Sequence, residues 1–378
     1  MKILINSTTA FIGGGIQVGV SMGNFILSQK LDFDFIFAIS KPIYNNLPKN
    51  QKKDSRVIVF EESPSRLIKG YKSRKKLKEL EISYKPDIIY SLSFPSYTKF
   101  KTKEIGRYTN PWEIFSAELA WALLPLYEKL IRWLKNQYRL FWAKRAAYFE
   151  TQTEHAKRAI IKRFKIDEDK VKVSTNVINP IFDNDPLSKD YSLLLKKNTI
   201  KLFSLSADHR HKNLLLIPDI LNIWMNNNSN KNLKFFLTLP LGSKTWKNIY
   251  LRSKKLSLSN NIVNIGPLKL DQCIRWYKNS DFIFLPTVLE VMSATYLESM
   301  LMKKVIITSD LQFAREVCGN GAAYFKPNDP EDASLTLEKM INNPKLCNSI
   351  ISEASEQIKK FPNFDEKHRD LFNWITHL

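Results

Sequence analysis

Short apolar runs and helical patterns alternate along almost the whole chain of 378 residues. Lys2–Asn6 is a first apolar run and Gln17–Gln29 follows it with helical spacing, and the same alternation starts again at Lys201 and continues to Ile341. Strands that are separated by helices pair in parallel, because each crossover helix returns the chain to the same end of the sheet. The sequence therefore predicts an α/β protein with two doubly wound parallel sheets.

The elements of this alternation can be assigned along both halves. The predicted strands are Lys2–Asn6, Phe33–Ala38, Arg56–Phe60, Ile88–Ser91, Ile105–Thr109, Ala147–Gln152, Lys201–Leu205, Lys234–Leu239, Asn261–Ile265, Asp281–Leu285, Val305–Thr308 and Ala323–Phe325. The predicted helices are Gln17–Gln29, Arg66–Ile82, Glu118–Arg145, Asn213–Asn227, Lys244–Lys255, Leu270–Lys278, Ser293–Met302, Gln312–Val317, Pro330–Ile341 and most of Asn348–Leu378.

Composition limits the class of protein. A hydrophobic content of 44% is enough for two cores in a chain of this length. The three cysteines have no C-x-x-C spacing, which favours reduced thiols over disulfides or a zinc site. The first residues form a strand pattern rather than a signal peptide, and no apolar run reaches the roughly 18–20 residues of a membrane span. We therefore expect a cytoplasmic protein.

The net charge of +21 implies an anionic partner: nucleic acid, an anionic membrane surface or an anionic substrate. Residues 66–78 and 127–145 combine Lys and Arg with Leu, Tyr or Trp at helical spacing, which suits the headgroup layer of an anionic membrane. Equally, each could be a helix with one packed and one solvated face. No recognisable base-stacking module is present, so we expect no nucleic-acid partner.

The segment from Asp281 to Met300 carries the strongest chemical signal. An apolar strand pattern ends at Pro286, and a helix is predicted to begin near Ser293. Backbone N–H groups and the helix dipole at such a position favour a phosphate. Glu290 and Glu298 cannot bind that phosphate, but their carboxylates can accept hydrogen bonds from the hydroxyls of a ribose or a sugar. Together these features predict a nucleotide-sugar pocket.

A second candidate contact is the Gly13-Gly14-Gly15 run between the first predicted strand and helix. Glycines let the backbone approach a phosphate or a sugar closely. The run is not G-x-G-x-x-G, so it gives no support for a dinucleotide fingerprint, and a flexible turn is the alternative.

Glu290 and Glu298 match the E-x7-E motif of the retaining glycosyltransferases of family 4, and the chain resembles these GT-B enzymes over most of its length. The segment from Val305 to Pro330, with Ser309-Asp310-Leu311, Arg315-Glu316 and Pro327-Asn328-Asp329-Pro330, fits the same family pattern. The resemblance is strongest over residues 200–345. It implies two Rossmann-like domains that face each other across a cleft.

The resemblance also implies roles for individual residues. Lys212, in a Lys-Asn pair, would bind the donor diphosphate, with the backbone of Ser293, Ala294 and Thr295 beside it. Glu290 would contact the transferred sugar and Glu298 the nucleotide ribose. Many relatives have an Arg five residues before this Lys. Ala207 stands there instead, so Arg210 is the remaining candidate for that phosphate contact. The remaining members of this candidate donor site are Gly14 and Gly15.

Two other positions depart from the family or carry an apparent metal motif. In members of the family, the loop that corresponds to the one after residues 105–109 often carries a His that meets the transferred sugar. This chain has no His there, and Asn110 or Glu113 would occupy that place. Asp32-Phe-Asp34 is a D-x-D, but it lies too early in the chain for the metal-binding motif of GT-A enzymes. We expect no cofactor and no metal, including at His209 and His211.

The domain division follows the same resemblance. Residues 1–185 are predicted to form the acceptor-side domain, and residues 186–347 the nucleotide-sugar-binding domain, with a boundary within Asn176–Asn198. In the GT-B fold the final segment, residues 348–378, packs back across the first domain.

The predicted function is hexosyl transfer without a metal, from a UDP-, GDP- or dTDP-sugar to a saccharide acceptor, with retention of anomeric configuration. The acceptor would be a lipid-linked O-antigen, capsule or lipopolysaccharide saccharide at the inner face of the cytoplasmic membrane, where the enzyme would bind peripherally. Two alternatives stay open: a sugar-nucleotide epimerase of the GT-B fold, and a non-catalytic basic protein that binds a membrane or a partner.

Overall fold

The computed structural model describes residues 1–178, 180–182, 198–228 and 232–378. The chain forms two compact units. Unit 1 comprises residues 1–115, 130–174 and 365–378, and unit 2 comprises residues 116–129 and 175–364. The predicted boundary between residues 185 and 186 lies outside the described residues.

The two units each contain one parallel sheet. The strands are β1 (Lys2–Ser7), β2 (Asp34–Ser40), β3 (Val57–Phe60), β4 (Ile88–Ser91), β5 (Glu104–Arg107), β6 (Tyr148–Thr151), β7 (Val171–Val173), β8 (Thr199–Ser204), β9 (Asn232–Leu237), β10 (Ile262–Asn264), β11 (Phe282–Leu285), β12 (Val305–Ser309) and β13 (Ala323–Phe325). The order is β3-β2-β1-β4-β5-β6-β7 in unit 1 and β10-β9-β8-β11-β12-β13 in unit 2.

Helices connect these strands, as the alternation predicts. They are α1 (Gly14–Ser28), α2 (Lys41–Asn46), α3 (Tyr71–Tyr84), α4 (Pro111–Ile114), α5 (Glu118–Ala122), α6 (Leu126–Ala143), α7 (Glu154–Phe164), α8 (Ile217–Asn227), α9 (Lys244–Lys255), α10 (Leu270–Asn279), α11 (Ala294–Leu301), α12 (Gln312–Cys318), α13 (Pro330–Asn342), α14 (Pro344–Ile358) and α15 (Phe364–Thr376). The predicted fold class, two Rossmann-like parallel-sheet domains, is confirmed.

The central strands are apolar on both faces, because helices cover both sides of a parallel sheet. All four residues of β11, Phe-Ile-Phe-Leu, are buried. Ile283 pairs with Phe203 of β8 on one side and with Ile306 of β12 on the other. This buried strand fixes the position at which its following loop, residues 286–293, leaves the sheet.

The predicted helix over residues 118–145 is divided into α5 and α6 at Pro125. A proline inside a helix removes a backbone donor and clashes with the preceding turn. The residue before it, Leu124, instead donates its N–H to the carbonyl of Trp121. The next helix, α6, begins at Leu126.

The final segment is two helices rather than one. The first, α14, belongs to unit 2, and α15 belongs to unit 1. Phe372 of α15 packs against Phe25 and Phe33, with ring centroids 6.0 Å and 4.8 Å apart. Burying a phenylalanine in this way contributes about 1.5–3 kcal/mol. Residues 365–378 are therefore part of the core of unit 1.

In the part of the chain that the structure describes, every helix is too short or too polar to cross a bilayer.

Candidate functional site

The candidate site of unit 2 lies at the carboxyl ends of β8 and β11. These two strands are neighbours, and the strand order reverses between them, since β9 and β10 lie on one side and β12 and β13 on the other. In open parallel sheets such a reversal leaves a crevice at the carboxyl ends of the strands, where ligands bind. The segments that follow the two strands, residues 205–213 and 286–293, therefore line the crevice.

Hydrogen bonds join the loop after β8 to the loop after β11. Residues Arg210–Lys212 form a 3-10 turn. The carbonyl of His211 accepts hydrogen bonds from the backbone N–H of Val288, at 2.8 Å, and from the hydroxyl of Thr287, at 3.1 Å. Asn213 ends the turn with φ near 55°, a left-handed conformation that asparagine tolerates well. The turn is thereby held beside the loop that carries Glu290.

Lys212 and Glu290 form an ion pair in this crevice, with Nζ of the lysine donating to Oε1 of the glutamate. Their side chains are 18% and 13% exposed, so a ligand can still reach them. Burial raises the pKa of the Glu290 carboxyl, but the charge and hydrogen bond of Lys212, with contributions from His211 and His209, outweigh burial. The pKa is lowered overall. Glu290 is therefore ionised at neutral pH.

The N-terminus of α11 follows directly. Ser293 occupies the N-cap position with extended backbone, but its hydroxyl makes no capping hydrogen bond. The first turn of α11 contains no acidic residue, so no carboxylate of that turn offsets the positive end of the helix dipole. Ala294 is exposed, while Ser293 and Thr295 are nearly buried. This end of α11 is suited to an anion that would lie next to Lys212 and Glu290.

Glu298 lies one turn further along α11. Its Oε2 accepts a hydrogen bond of 2.7 Å from the hydroxyl of Tyr277, a fully buried residue of α10. Burial raises the pKa of Glu298, and the hydrogen bond from Tyr277 opposes that rise without cancelling it. The two glutamates therefore have pKa values displaced in opposite directions.

Arg210 forms an ion pair with Glu128, and its Nη2 lies 3.1 Å from Oε1 of that residue. Glu128 also accepts a hydrogen bond of 3.0 Å from the hydroxyl of Tyr127. One contact of this kind leaves other donors of the guanidinium for a phosphate. The assignment of Arg210 to the donor site stays a prediction.

Gly14 and Gly15 belong to unit 1, where they form the first turn of α1. Gly13 precedes them with φ near +70°, which glycine adopts at no steric cost. A Cβ atom added at Gly13 or Gly14 would meet no atom within 4 Å. The backbone here is open to a ligand, and the predicted contact of Gly14 and Gly15 with the donor stays a prediction.

Glu113 lies in a closed polar cluster of unit 1. Its carboxylate accepts hydrogen bonds from Tyr108, Asn110 and Arg139, and its side chain is 0% exposed. Arg139 also donates to the carbonyl of Phe94 at 3.2 Å. These contacts give Glu113 a structural role and make it a poor substitute for a catalytic histidine.

The candidate metal ligands do not gather into a cluster. The rings of His209 and His211 stack with centroids 5.3 Å apart. Asp34 is the first residue of β2 and Asp32 precedes the strand, and both are exposed. Within the described ranges, no three His, Cys, Asp or Glu side chains are placed to hold a metal ion together.

Sequence reasoning missed Tyr277 and Glu128. Tyr277 could have been found, because it lies four residues after Cys273 on the buried face of a predicted helix, and a buried tyrosine hydroxyl needs a partner. Glu128 gave no such signal, since its partner is 82 positions away in the sequence.

The second half of the chain is similar in sequence to known glycosyl transferases. Residues 189–357 match the model of the family "Glycosyl transferases group 1". The O-antigen chain mannosyltransferase RfbU of Salmonella typhimurium is 20% identical over 234 residues, 62% of this chain and 60% of that relative. This match therefore spans less than two thirds of the relative.

Solved structures share the fold of the whole chain. A glycosyltransferase from Rickettsia africae superposes with a TM-score of 0.70 at 16% identity, covering 99% of this chain and 97% of its own. Anabaena HepE, in complex with UDP and glucose, superposes with a TM-score of 0.71 at 15% identity and full coverage of both chains. The predicted GT-B fold is confirmed, and residues 189–357 are similar to the group 1 glycosyl transferases.

Proposed function

We propose that this protein is a retaining glycosyltransferase of the family 4 type that moves a hexose from a nucleotide-diphospho-sugar to a saccharide acceptor. The observation that carries the proposal is the ion pair between Lys212 and Glu290 at the reversal point of the sheet, next to the N-terminus of α11. It places a cation, a carboxylate and a helix dipole within one crevice, as a charged sugar donor requires.

Each group has a task that suits its chemistry. The ammonium of Lys212 and the N-terminus of α11 stabilise the donor diphosphate, whose negative charge increases as the bond to the sugar breaks. Glu290 then exchanges its partner Lys212 for sugar hydroxyls, and Glu298 accepts hydrogen bonds from the ribose. The donor thus separates an ion pair that is present in the free protein.

Retention requires the acceptor to attack the same face of the sugar that the diphosphate leaves. In the proposed mechanism the bond to the diphosphate breaks first and gives an oxocarbenium-like state. The leaving phosphate takes the proton of the acceptor hydroxyl, so no protein base is required. Catalysis then depends on positioning and on stabilising the leaving charge, and needs no metal ion or cofactor.

The donor and acceptor classes draw support from relatives. HepE was solved with UDP and with glucose, which supports a nucleoside-diphosphate sugar as donor. The relative RfbU is named as an O-antigen mannosyltransferase. We therefore propose a lipid-linked saccharide of the O-antigen, capsule or lipopolysaccharide type as the acceptor, on the cytoplasmic face of the inner membrane.

A surface of α6 supports peripheral binding to that membrane. The side chains of Leu130, Trp133, Leu134 and Phe141 are each more than half exposed. Lys135, in α6, and Lys144, just after its end, are also exposed. Apolar and aromatic side chains interspersed with lysine suit the headgroup layer of anionic lipids.

The transfer reaction itself is the test. The protein is incubated with UDP-, GDP- and dTDP-hexoses and a synthetic polyprenyl-diphosphate saccharide, and the anomeric configuration of any product is read by proton NMR. Acceptor-dependent transfer with retention is expected. Release of a free or epimerised sugar without an acceptor would favour the epimerase instead, and inverted product would exclude the retaining mechanism.

A further inference from the structure

Tyr277 holds the carboxylate of Glu298 from a separate helix. Its hydroxyl lies 2.7 Å from Oε2 of Glu298, and the tyrosine is completely buried. Burial and the nearby charge of Glu298 raise the pKa of Tyr277 well above its ordinary value. The phenol therefore stays protonated and acts as the donor, and Glu298 is the acceptor.

The ring of Tyr277 is itself immobilised. Phe203 of β8 packs against it edge-on, with centroids 5.5 Å apart. Phe182 also packs edge-on against it, with ring centroids 6.0 Å apart. Aromatic contacts of this geometry contribute about 0.5–1.5 kcal/mol beyond the area they bury. The hydroxyl is thus held at a fixed position by residues on three different segments.

Cys273 lies on the same face of α10 as Tyr277 and is also buried. Cys273 lies one turn before Tyr277, and the charge of Glu298 adds to burial in raising the pKa of its thiol to about 12. Cys273 and Tyr277, on the buried face of α10, belong to the same hydrophobic cluster as Leu297 of α11, the residue next to Glu298. Of the groups on this face, the Tyr277 hydroxyl is the one that donates a hydrogen bond to the carboxylate.

We propose that Tyr277 is a positioning residue that orients the carboxylate of Glu298 for the ribose hydroxyls of the donor. This inference rests on the proposed function, because it assumes that Glu298 accepts hydrogen bonds from the nucleotide. Tyr277 occupies Oε2 of the carboxylate, and the proposal assigns Oε1 to the ribose hydroxyls. An ionised carboxylate accepts two hydroxyl hydrogen bonds more effectively than a protonated one, which has to donate a proton itself.

The pH dependence follows from this arrangement. Burial raises the pKa of Glu298, whereas the Tyr277 hydrogen bond favours the ionised form. If that hydrogen bond is removed, the pKa rises further. As the solution is acidified, nucleotide binding that needs the ionised carboxylate of Glu298 is then lost at a higher pH than in wild type. A purely structural tyrosine would weaken binding equally at all pH values.

The experiment compares Tyr277→Phe with wild type by calorimetric titration with UDP, GDP and dTDP between pH 5 and pH 8. Tyr250→Phe, an exposed tyrosine of α9, is the matched control. We expect about a tenfold weaker affinity for the preferred nucleotide at pH 7, as for loss of one charge-assisted hydrogen bond. We also expect the midpoint of the pH dependence of binding to move to higher pH in Tyr277→Phe. Tyr250→Phe should keep the affinity and the midpoint of wild type.

Two further measurements separate the possible failures. In the Glu298→Ala background, Tyr277→Phe should have no additional effect, because the tyrosine acts through the glutamate. Carbon-13 NMR titration of the Glu298 carboxyl tests the upward pKa shift without any ligand. If wild type binds nucleotide and Tyr277→Phe changes neither its affinity nor its midpoint, the inference is overturned while the proposed function stands. If no nucleotide binds wild type, both are overturned.

Discussion

Lys212 and Glu290, 78 positions apart in the sequence, form an ion pair at the carboxyl ends of two adjacent strands. The pair is held in place by the hydrogen bonds between the His211 carbonyl and the loop at Thr287 and Val288. Removing one partner of a well-buried pair leaves the other charge without compensation. A single substitution at Lys212 or Glu290 should therefore change turnover and the free energy of unfolding by different amounts.

Glu290→Gln should lower turnover by about 10²–10³, the effect of losing one group that stabilises the reacting centre. The amide keeps the size of the side chain, so the fold should be retained. Steady-state transfer assays give the turnover, and circular dichroism checks the fold. Glu353→Gln, on the exposed face of α14, serves as the control and should have wild-type activity. Near-normal turnover in Glu290→Gln would remove this residue from the reaction.

Glu298→Gln should stabilise the protein at pH 8 and leave its stability unchanged at pH 4. The pKa of Glu298 is raised in the folded state, so folding disfavours its ionised form. This loss of stability is absent at pH values below the pKa that Glu298 has in the unfolded chain. It appears as the pH rises through the pKa that Glu298 has in the folded protein. The amide carries no charge and still accepts the Tyr277 hydrogen bond. Thermal unfolding at both pH values measures the difference, and equal effects at pH 4 and pH 8 would contradict the pKa assignment.

Much of the fold could be predicted from the sequence, because each element has its own local signal. The structure gives α9 the predicted bounds Lys244–Lys255 and β13 the predicted bounds Ala323–Phe325. α7 was missed although Thr153 caps it, its side chain accepting a hydrogen bond from Ala156. Its sequence is rich in lysine and arginine and therefore resembles that of a surface loop, and a helix of this length gives only a short periodic signal.

The site was predictable to a smaller extent. The strand–loop–helix pattern indicated Glu290 and Glu298 as candidates, and the resemblance to family 4 added Lys212. The contacts that these residues make were not predictable. Lys212–Glu290 and Tyr277–Glu298 each join two segments that follow different strands of the sheet. Such contacts depend on strand order, which local sequence patterns do not reveal.

Phe372→Ala should destabilise the protein by about 3–5 kcal/mol, as large-to-small substitutions of buried aromatics do. The ring packs against Phe25 and Phe33 in unit 1 and is 4% exposed. Urea denaturation measures the change in the free energy of unfolding. Leu335→Ala, at an exposed position of α13, should change it by less than about 0.5 kcal/mol. Similar values for the two variants would show that α15 does not stabilise the core.

Replacement of Trp133 and Leu134 together by glutamate should abolish binding to anionic vesicles. Each large apolar side chain that leaves water contributes about 1.5–3 kcal/mol, and the glutamates add repulsion from the lipid charge. Co-sedimentation with phosphatidylglycerol vesicles at low and high salt measures the binding. Leu335→Glu is the control for a new charge on an exposed leucine. Failure of the wild-type protein to bind such vesicles at low salt would remove the support for a membrane surface.

The central claim is that Lys212 binds the diphosphate of a nucleotide-sugar. Calorimetric titration of UDP, GDP and dTDP into wild type and Lys212→Met tests it most directly, with Lys247→Met, an exposed lysine of α9, as the control. We predict that one diphosphate binds wild type and the control equally. We also predict that it binds Lys212→Met at least about tenfold more weakly, since a charge-assisted contact is worth about 1.5–3 kcal/mol. Equal affinity of all three proteins for that nucleotide would contradict the account.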